Sequence, residues 1–350
     1  MTAETVRVTG GAAEVGAGRR RRARRRALVT AALALLCVAL FGAALMVGET
    51  FYTPSEVIRT VLGQTVPGAS FAVGELRLPR ASLGVLAGAA FGLAGVTFQT
   101  MLRNPLAAPD VIGISAGASA AAVIGIVLLG LDEAATSFLA IGAALVTAAV
   151  IYVLAYRDGV VGTRLILIGI GIAAMLDSVV SYVLIHAASW DLQTAMRWLS
   201  GSLNGATWDQ LLPLALAMLI VVPVLLSRER ALGLLQLGDD LAAGLGVRVE
   251  RTRIVTIVTA VALIAFATAA AGPIAFVAFL AGPIAARLVG GGGSLMVPSA
   301  LVGAALVLAA DLIGQFALGS RYPVGVVTGV LGAPYLVYLL IRTNRAGGSL

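Results

Sequence analysis

Two carboxylates stand inside stretches that are otherwise apolar, Asp177 in GIAAMLDSVVSYVLI and Asp311 in LVLAADLIGQ. An ionisable side chain at membrane depth is costly and by default marks a pathway or the interior of a bundle. Asp177 has two readings: it lines a pathway, or it is simply hydrogen-bonded by Ser178 or Ser181. His186 is the only histidine and Cys37 the only cysteine. That excludes a Ser-His-Asp site, a His-rich metal site, an intrachain disulfide and a cysteine-metal cluster. No segment has the glycine-rich pattern of a nucleotide-binding P-loop, and no acid, base and nucleophile form an active-site constellation. These absences argue against catalysis on this chain, and no cofactor and no metal are expected.

The remaining candidates are arginines, which make up all 24 basic residues and give a net charge of +7. They sit at the ends of apolar runs, so a membrane partner is expected and a nucleic acid is not. Arg77 and Arg80 bracket Pro79 in LRLPR, and suit either anchoring at lipid headgroups or contact with an acidic partner. After Arg103 comes NPLAAPD, with Pro105 and Pro109. Backbone broken by proline at membrane depth is tolerated only inside protein or beside a water-filled cavity; a plain tight turn is the alternative. Residues 228–251 form the one sizeable inner loop, and Asp239 to Gly246 within it can form a short helix, acidic at its start and closed by glycine. That helix suits a socket on a soluble partner, with a solvated connector as the alternative.

The elements that must position these groups are membrane helices. Of 350 residues, 59% are hydrophobic and 12% charged, with mean hydropathy +1.00; a soluble domain carries about 25% charged residues. Repeated apolar runs of about 20 residues make an all-α polytopic membrane protein. The expected spans are 27–48, 81–103, 111–130, 134–156, 163–187, 209–227, 252–271, 274–289, 297–318 and 323–342. Gly84, Gly88 and Gly92 recur every four residues, as do Gly113 and Gly117, so helix backbones can approach closely there. Residues 1–26 are expected to be a disordered basic cytoplasmic N-terminus, 27–342 a ten-helix membrane domain and 343–350 a cytoplasmic tail. A twin-arginine export signal is the alternative for the run Arg19–Arg26. Ten crossings put 19 arginines inside and five outside, which by the positive-inside rule places both termini in the cytoplasm of a cell-membrane protein. Two outer segments can hold structure: 49–80, with a helix start at Thr53-Pro54-Ser55-Glu56, and the amphipathic 188–208, with three tryptophans.

The loop sequence LGDDLAAGLGVRVERTR resembles the coupling loop of the FecCD-type permeases of ATP-binding-cassette importers for iron-siderophores, haem and cobalamin. The same resemblance runs in order through LRLPR, GAAFGLAG and RNPLAAPDVIGISAGAS, then RLILIGIG, RWLSGSLNG, GPIAFVAFLAGPIAARL and PVGVVTGVLGAPYLVYLL. It covers about 75–342 and implies the type II ABC importer permease architecture of about ten helices. It also implies a homodimer or pairing with a paralogue, ATP-binding-cassette ATPase subunits on the inside and an extracytoplasmic solute-binding protein outside.

By resemblance, Arg77, Arg80 and Arg321 would dock the binding protein. Asn104, Pro105, Leu106, Gly162 and Thr163 would form the cytoplasmic gate. Asp239, Asp240, Ala243, Gly244, Leu245 and Gly246 would meet the ATPase; Asp177 is the pathway candidate and Asp311 a structural acid. Three departures stand out: Gly282-Pro283 where the family reads proline then histidine, Gln315 where an arginine is common, and Arg321 where an acid is usual. The expected cargo is a ferric siderophore. Haem or cobalamin is the alternative within the class, and an ion-coupled secondary transporter using Asp177 and Asp311 the alternative outside it.

Overall fold

The computed structural model describes residues 11–109, 112–156, 162–290 and 293–345, and all regular structure among them is helical. In chain order the helices are α1 (Gly11–Met46), α2 (Pro54–Val61), α3 (Ala69–Met101), α4 (Ile114–Val127) and α5 (Glu133–Ala155). Then follow α6 (Gly162–Ile185), α7 (Ser189–Leu199), α8 (Trp208–Ser227), α9 (Glu229–Leu235) and α10 (Asp239–Gly244). The last four are α11 (Val249–Ala271), α12 (Val277–Val289), α13 (Met296–Phe316) and α14 (Val324–Arg345). Seven are long and apolar enough to cross a membrane: α1, α3, α5, α6, α8, α11 and α13. Three shorter apolar segments, in α4, α12 and α14, occupy the other places in the expected order of ten.

Helix α3 is the hub, packed against α13, α11, α12 and α8. Its close neighbours follow from its glycines. A Cβ added at Gly88 would stand 2.5 Å from the Gly303 carbonyl oxygen of α13, and one at Gly92 would overlap the Ser299 carbonyl. With lipid on all sides, such backbone proximity supplies the packing that the hydrophobic effect supplies in water. Buried share separates the layers: 78% of the most apolar window of α3 is buried, against 11% for α6.

Pro283 stands inside α12 and lacks the N–H that would reach back to residue 279. The Gln99 side chain of α3 supplies the missing donor, Nε2 to the Phe279 carbonyl at 3.0 Å. Gly282 leaves the room: a Cβ there would overlap the Gln99 amide oxygen. The Gly-Pro departure is thus matched by a glutamine on the facing helix.

Several boundaries differ from expectation: α3 begins at Ala69, twelve residues before its expected start, and both chain ends depart as well. The basic segment expected to be disordered is helical from Gly11, so α1 runs unbroken through Arg19–Arg26 into the membrane span. Arginine and alanine are strong helix formers, and extending an existing helix needs no new nucleus. Residues 1–10 lie outside the described chain. At the other end α14 reaches Arg345, three residues beyond the expected span.

Candidate functional site

At the arginine-rich end of the bundle, α8 gives way to two short helices before α11 begins. Gly238, at φ +114°, turns the chain into α10, and Gly246, at φ +85°, turns it out again. Ala242 is buried, while Asp240, Ala243, Gly244, Leu245 and Gly246 are exposed. Leu237, Leu241 and Leu245 are each about three-fifths exposed, and Leu241 and Leu245, one helical turn apart, form a short apolar ridge. Asp239 points the other way. Its Oδ1 accepts from Arg103 at 2.7 Å and its Oδ2 from Arg253 of α11 at 2.7 Å.

Arg103 stands immediately before the proline-broken turn and holds the left-handed backbone, φ +52°, which non-glycine residues rarely adopt. Next to it the Asn104 side chain accepts from the Leu106 N–H at 2.9 Å, closing an Asx turn over Pro105. Leu106 packs toward the cluster of Ala108, Phe279 and Leu280. The short helix and the broken turn are therefore tied through one carboxylate. Gly162 and Thr163 open α6. That helix meets the same region lower down, where a Cβ on Gly113 would stand 2.8 Å from the Gly169 carbonyl.

At the opposite end, Arg80 makes a two-pronged ion pair with Asp311, Nε to Oδ2 at 2.8 Å and NH2 to Oδ1 at 2.7 Å. Its third nitrogen donates to Asn204 Oδ1 at 2.7 Å, where Gln315 also donates at 3.2 Å. Arg77 donates to the carbonyls of Leu45, Met46 and Thr50, and its guanidinium lies 4.9 Å from the Tyr52 ring centroid. Arg77 thus clamps the end of α1, and Arg80 ties α3 to α13 and the 200–207 connection. Arg321, 61% exposed, pairs with Glu49, 85% exposed, at the rim of a cavity of about 340 Å³ that Arg77, Arg80 and Asp311 also line.

The FecCD transport family model matches residues 35–342. The chain belongs to that family. It is 41% identical over 326 residues to the ferric enterobactin transport system permease protein FepG of Escherichia coli (strain K12), covering 92% of this chain and 98% of that protein. It is 38% identical to the achromobactin transport system permease protein CbrC of Dickeya dadantii (strain 3937), covering 89% and 90%. A solved metal-chelate type ABC transporter in an inward-facing conformation superposes with TM-score 0.81 at 26% identity, covering 90% of this chain and 99% of that one. As a FecCD member the chain is a transport subunit and not an enzyme, and ATP hydrolysis belongs to a separate ATPase partner.

On this FecCD scaffold Asp177 is exposed in the middle of α6. The serines do not reach its carboxylate: Ser181 Oγ donates to the Asp177 backbone carbonyl and Ser178 Oγ to that of Ala174. His186, one turn below the end of this face, bonds the Tyr182 carbonyl through Nδ1 at 2.8 Å. Sequence reasoning passed over five contributors. Leu237 and Leu241 were visible as an apolar four-residue repeat with Leu245. Arg103, Gln99 and Asn204 gave no signal, because each acts on a residue more than 100 positions away.

Proposed function

We propose that the chain is the permease of an importer for a ferric siderophore. It works beside a second copy or a paralogue, with its arginine-rich end and both termini in the cytoplasm. The arginine bias supports that orientation. ATPase subunits seat on the leucine ridge and on Asp240, Ala243, Gly244 and Gly246 of the α10 loop. Asp239 carries their movement to Arg103 and so to the turn Asn104–Leu106, which with Gly162 and Thr163 gates the pathway. That carboxylate, held by two arginines from different segments, is the observation that carries the mechanism. A solute-binding protein docks on the far rim through Arg321, while Arg77 and Arg80 hold the rim in shape; exposed charges there steer and orient more than they add affinity. The face of α6 bearing Asp177 turns toward the pathway between the two permease halves, where water solvates the carboxylate.

A ferric siderophore is favoured over cobalamin because FepG and CbrC, at 41% and 38% identity, are more similar than the vitamin B12 permease of Vibrio cholerae, at 36%. An ion-coupled transporter is disfavoured: Asp311 is neutralised by Arg80, leaving Asp177 as the one remaining candidate site. The test is uptake of radiolabelled ferric siderophores, haemin and cyanocobalamin by cells with and without the chain. Energy-dependent uptake of a ferric siderophore that disappears on deletion is expected. Loss of only haemin or cyanocobalamin uptake would replace the cargo.

A further inference from the structure

From the arginine run of α1 we infer a binding surface for anionic phospholipid headgroups, formed by Arg20, Arg21 and Arg24. Seven of the eight residues from Arg19 to Arg26 are arginine, and they belong to the same unbroken helix as the span that follows. Ala27–Met46 is 20 residues, about 30 Å of helix, which matches the hydrocarbon thickness of a bilayer. The arginines therefore begin where the hydrocarbon ends and climb about 12 Å through the headgroup layer.

Two contacts fix the rotation of the helix. Arg25 donates to the Leu288 carbonyl at the end of α12 at 3.3 Å, and Arg26 donates to the Ser294 carbonyl before α13. With 100° between successive residues, Arg22 lies over the protein side one turn away. Arg20 and Arg24 lie nearly opposite, with Arg21 flanking them. All three are exposed, and no ion pair reaches any arginine of the run among the described residues. Arg20 and Arg24 are four apart and Arg21 and Arg24 three apart, so their charges stack on one face and repel. An array of like charge at headgroup depth, turned away from its own protein, is complementary to anionic lipid. Arginine also forks onto phosphate oxygens with two parallel hydrogen bonds.

The test places the full-length chain in phosphatidylcholine vesicles with trace spin-labelled phosphatidylglycerol or phosphatidylcholine. The motionally restricted fraction of each label is read by electron paramagnetic resonance. Wild type is expected to hold phosphatidylglycerol in roughly two- to threefold preference, a preference that shrinks in high salt. R20Q/R21Q/R24Q should bring the ratio close to one, while R20K/R21K/R24K, which keeps the charge, and R25Q/R26Q, which alters the protein-facing pair, should retain most of it. Equal fractions in wild type, or an undiminished preference in R20Q/R21Q/R24Q, overturns the assignment. So does loss of co-purifying ATPase in that variant with lipid preference intact, which would give the surface to the ATPase instead.

Discussion

Pro283 leaves the Phe279 carbonyl without its helical donor, and Gln99 fills that place from another helix. A buried carbonyl stripped of its partner costs about 1–3 kcal/mol. Gln99→Leu should lower stability by that order, read as a drop in thermal midpoint of the detergent-solubilised protein. Pro283→Ala restores the backbone donor, so Gln99→Leu should cost less in that background; an equal cost in both would refute the pairing. None of this was legible in sequence. Gly282-Pro283 could be seen as a departure, but its compensation comes from Gln99, 180 residues before the Phe279 carbonyl it serves, and only packing brings the two together. Asp311 was legible as structural, whereas its partner Arg80 read as an outward charge because topology fixes which end a residue occupies and not where its guanidinium turns.

Helix α3 shows why the spans themselves were readable. Apolar length is dictated by the bilayer, and four-residue glycine spacing by the need for a smooth face, so both survive in sequence without knowledge of partners. Gly92→Leu should force α3 and α13 apart, costing about 1–3 kcal/mol or more as overpacking does; an unchanged thermal midpoint would show that this contact does not hold the bundle. Interruptions are less readable. The π-helical stretch Ala72–Arg77 depends on tertiary support. Helix α2 lies between these extremes, because its start is a local signature: Thr53 and Glu56 cap each other reciprocally. The Thr53 backbone N–H, and then its hydroxyl, hold the Glu56 carboxyl below the usual carboxylate range. A lowered folded-state value means the cap contributes fully above the ordinary carboxylate range and fades as pH falls through the depressed value. Amide exchange in Pro54–Val61 should thus be flat, after correction for intrinsic rate, from pH 7 to about 5, and rise below about 4. Glu56→Gln should abolish that rise; a rise that survives in it would contradict the assignment.

At the scale of the whole molecule, two ends with different chemistry are joined by α3. One end carries a rim locked by Arg80, Asp311 and Arg77; the other carries an exposed leucine ridge whose helix is tied through Asp239 to the broken turn after α3. The short helix and the turn were each visible in sequence, but their connection was not, since Arg103 precedes Asp239 by 136 residues. This connection is the central claim, and the most direct measurement is uptake per ATP hydrolysed. Wild type, Asp239→Asn and the exchange Arg103→Asp with Asp239→Arg would be compared in proteoliposomes holding the ATPase subunits and the binding protein. Asp239→Asn should keep the ATPase bound and hydrolysing while uptake per ATP falls at least about tenfold, a weakening of roughly 1.4 kcal/mol in coupling, and the exchange should recover part of it. Unchanged uptake per ATP in Asp239→Asn, with the ATPase still bound, would contradict the account.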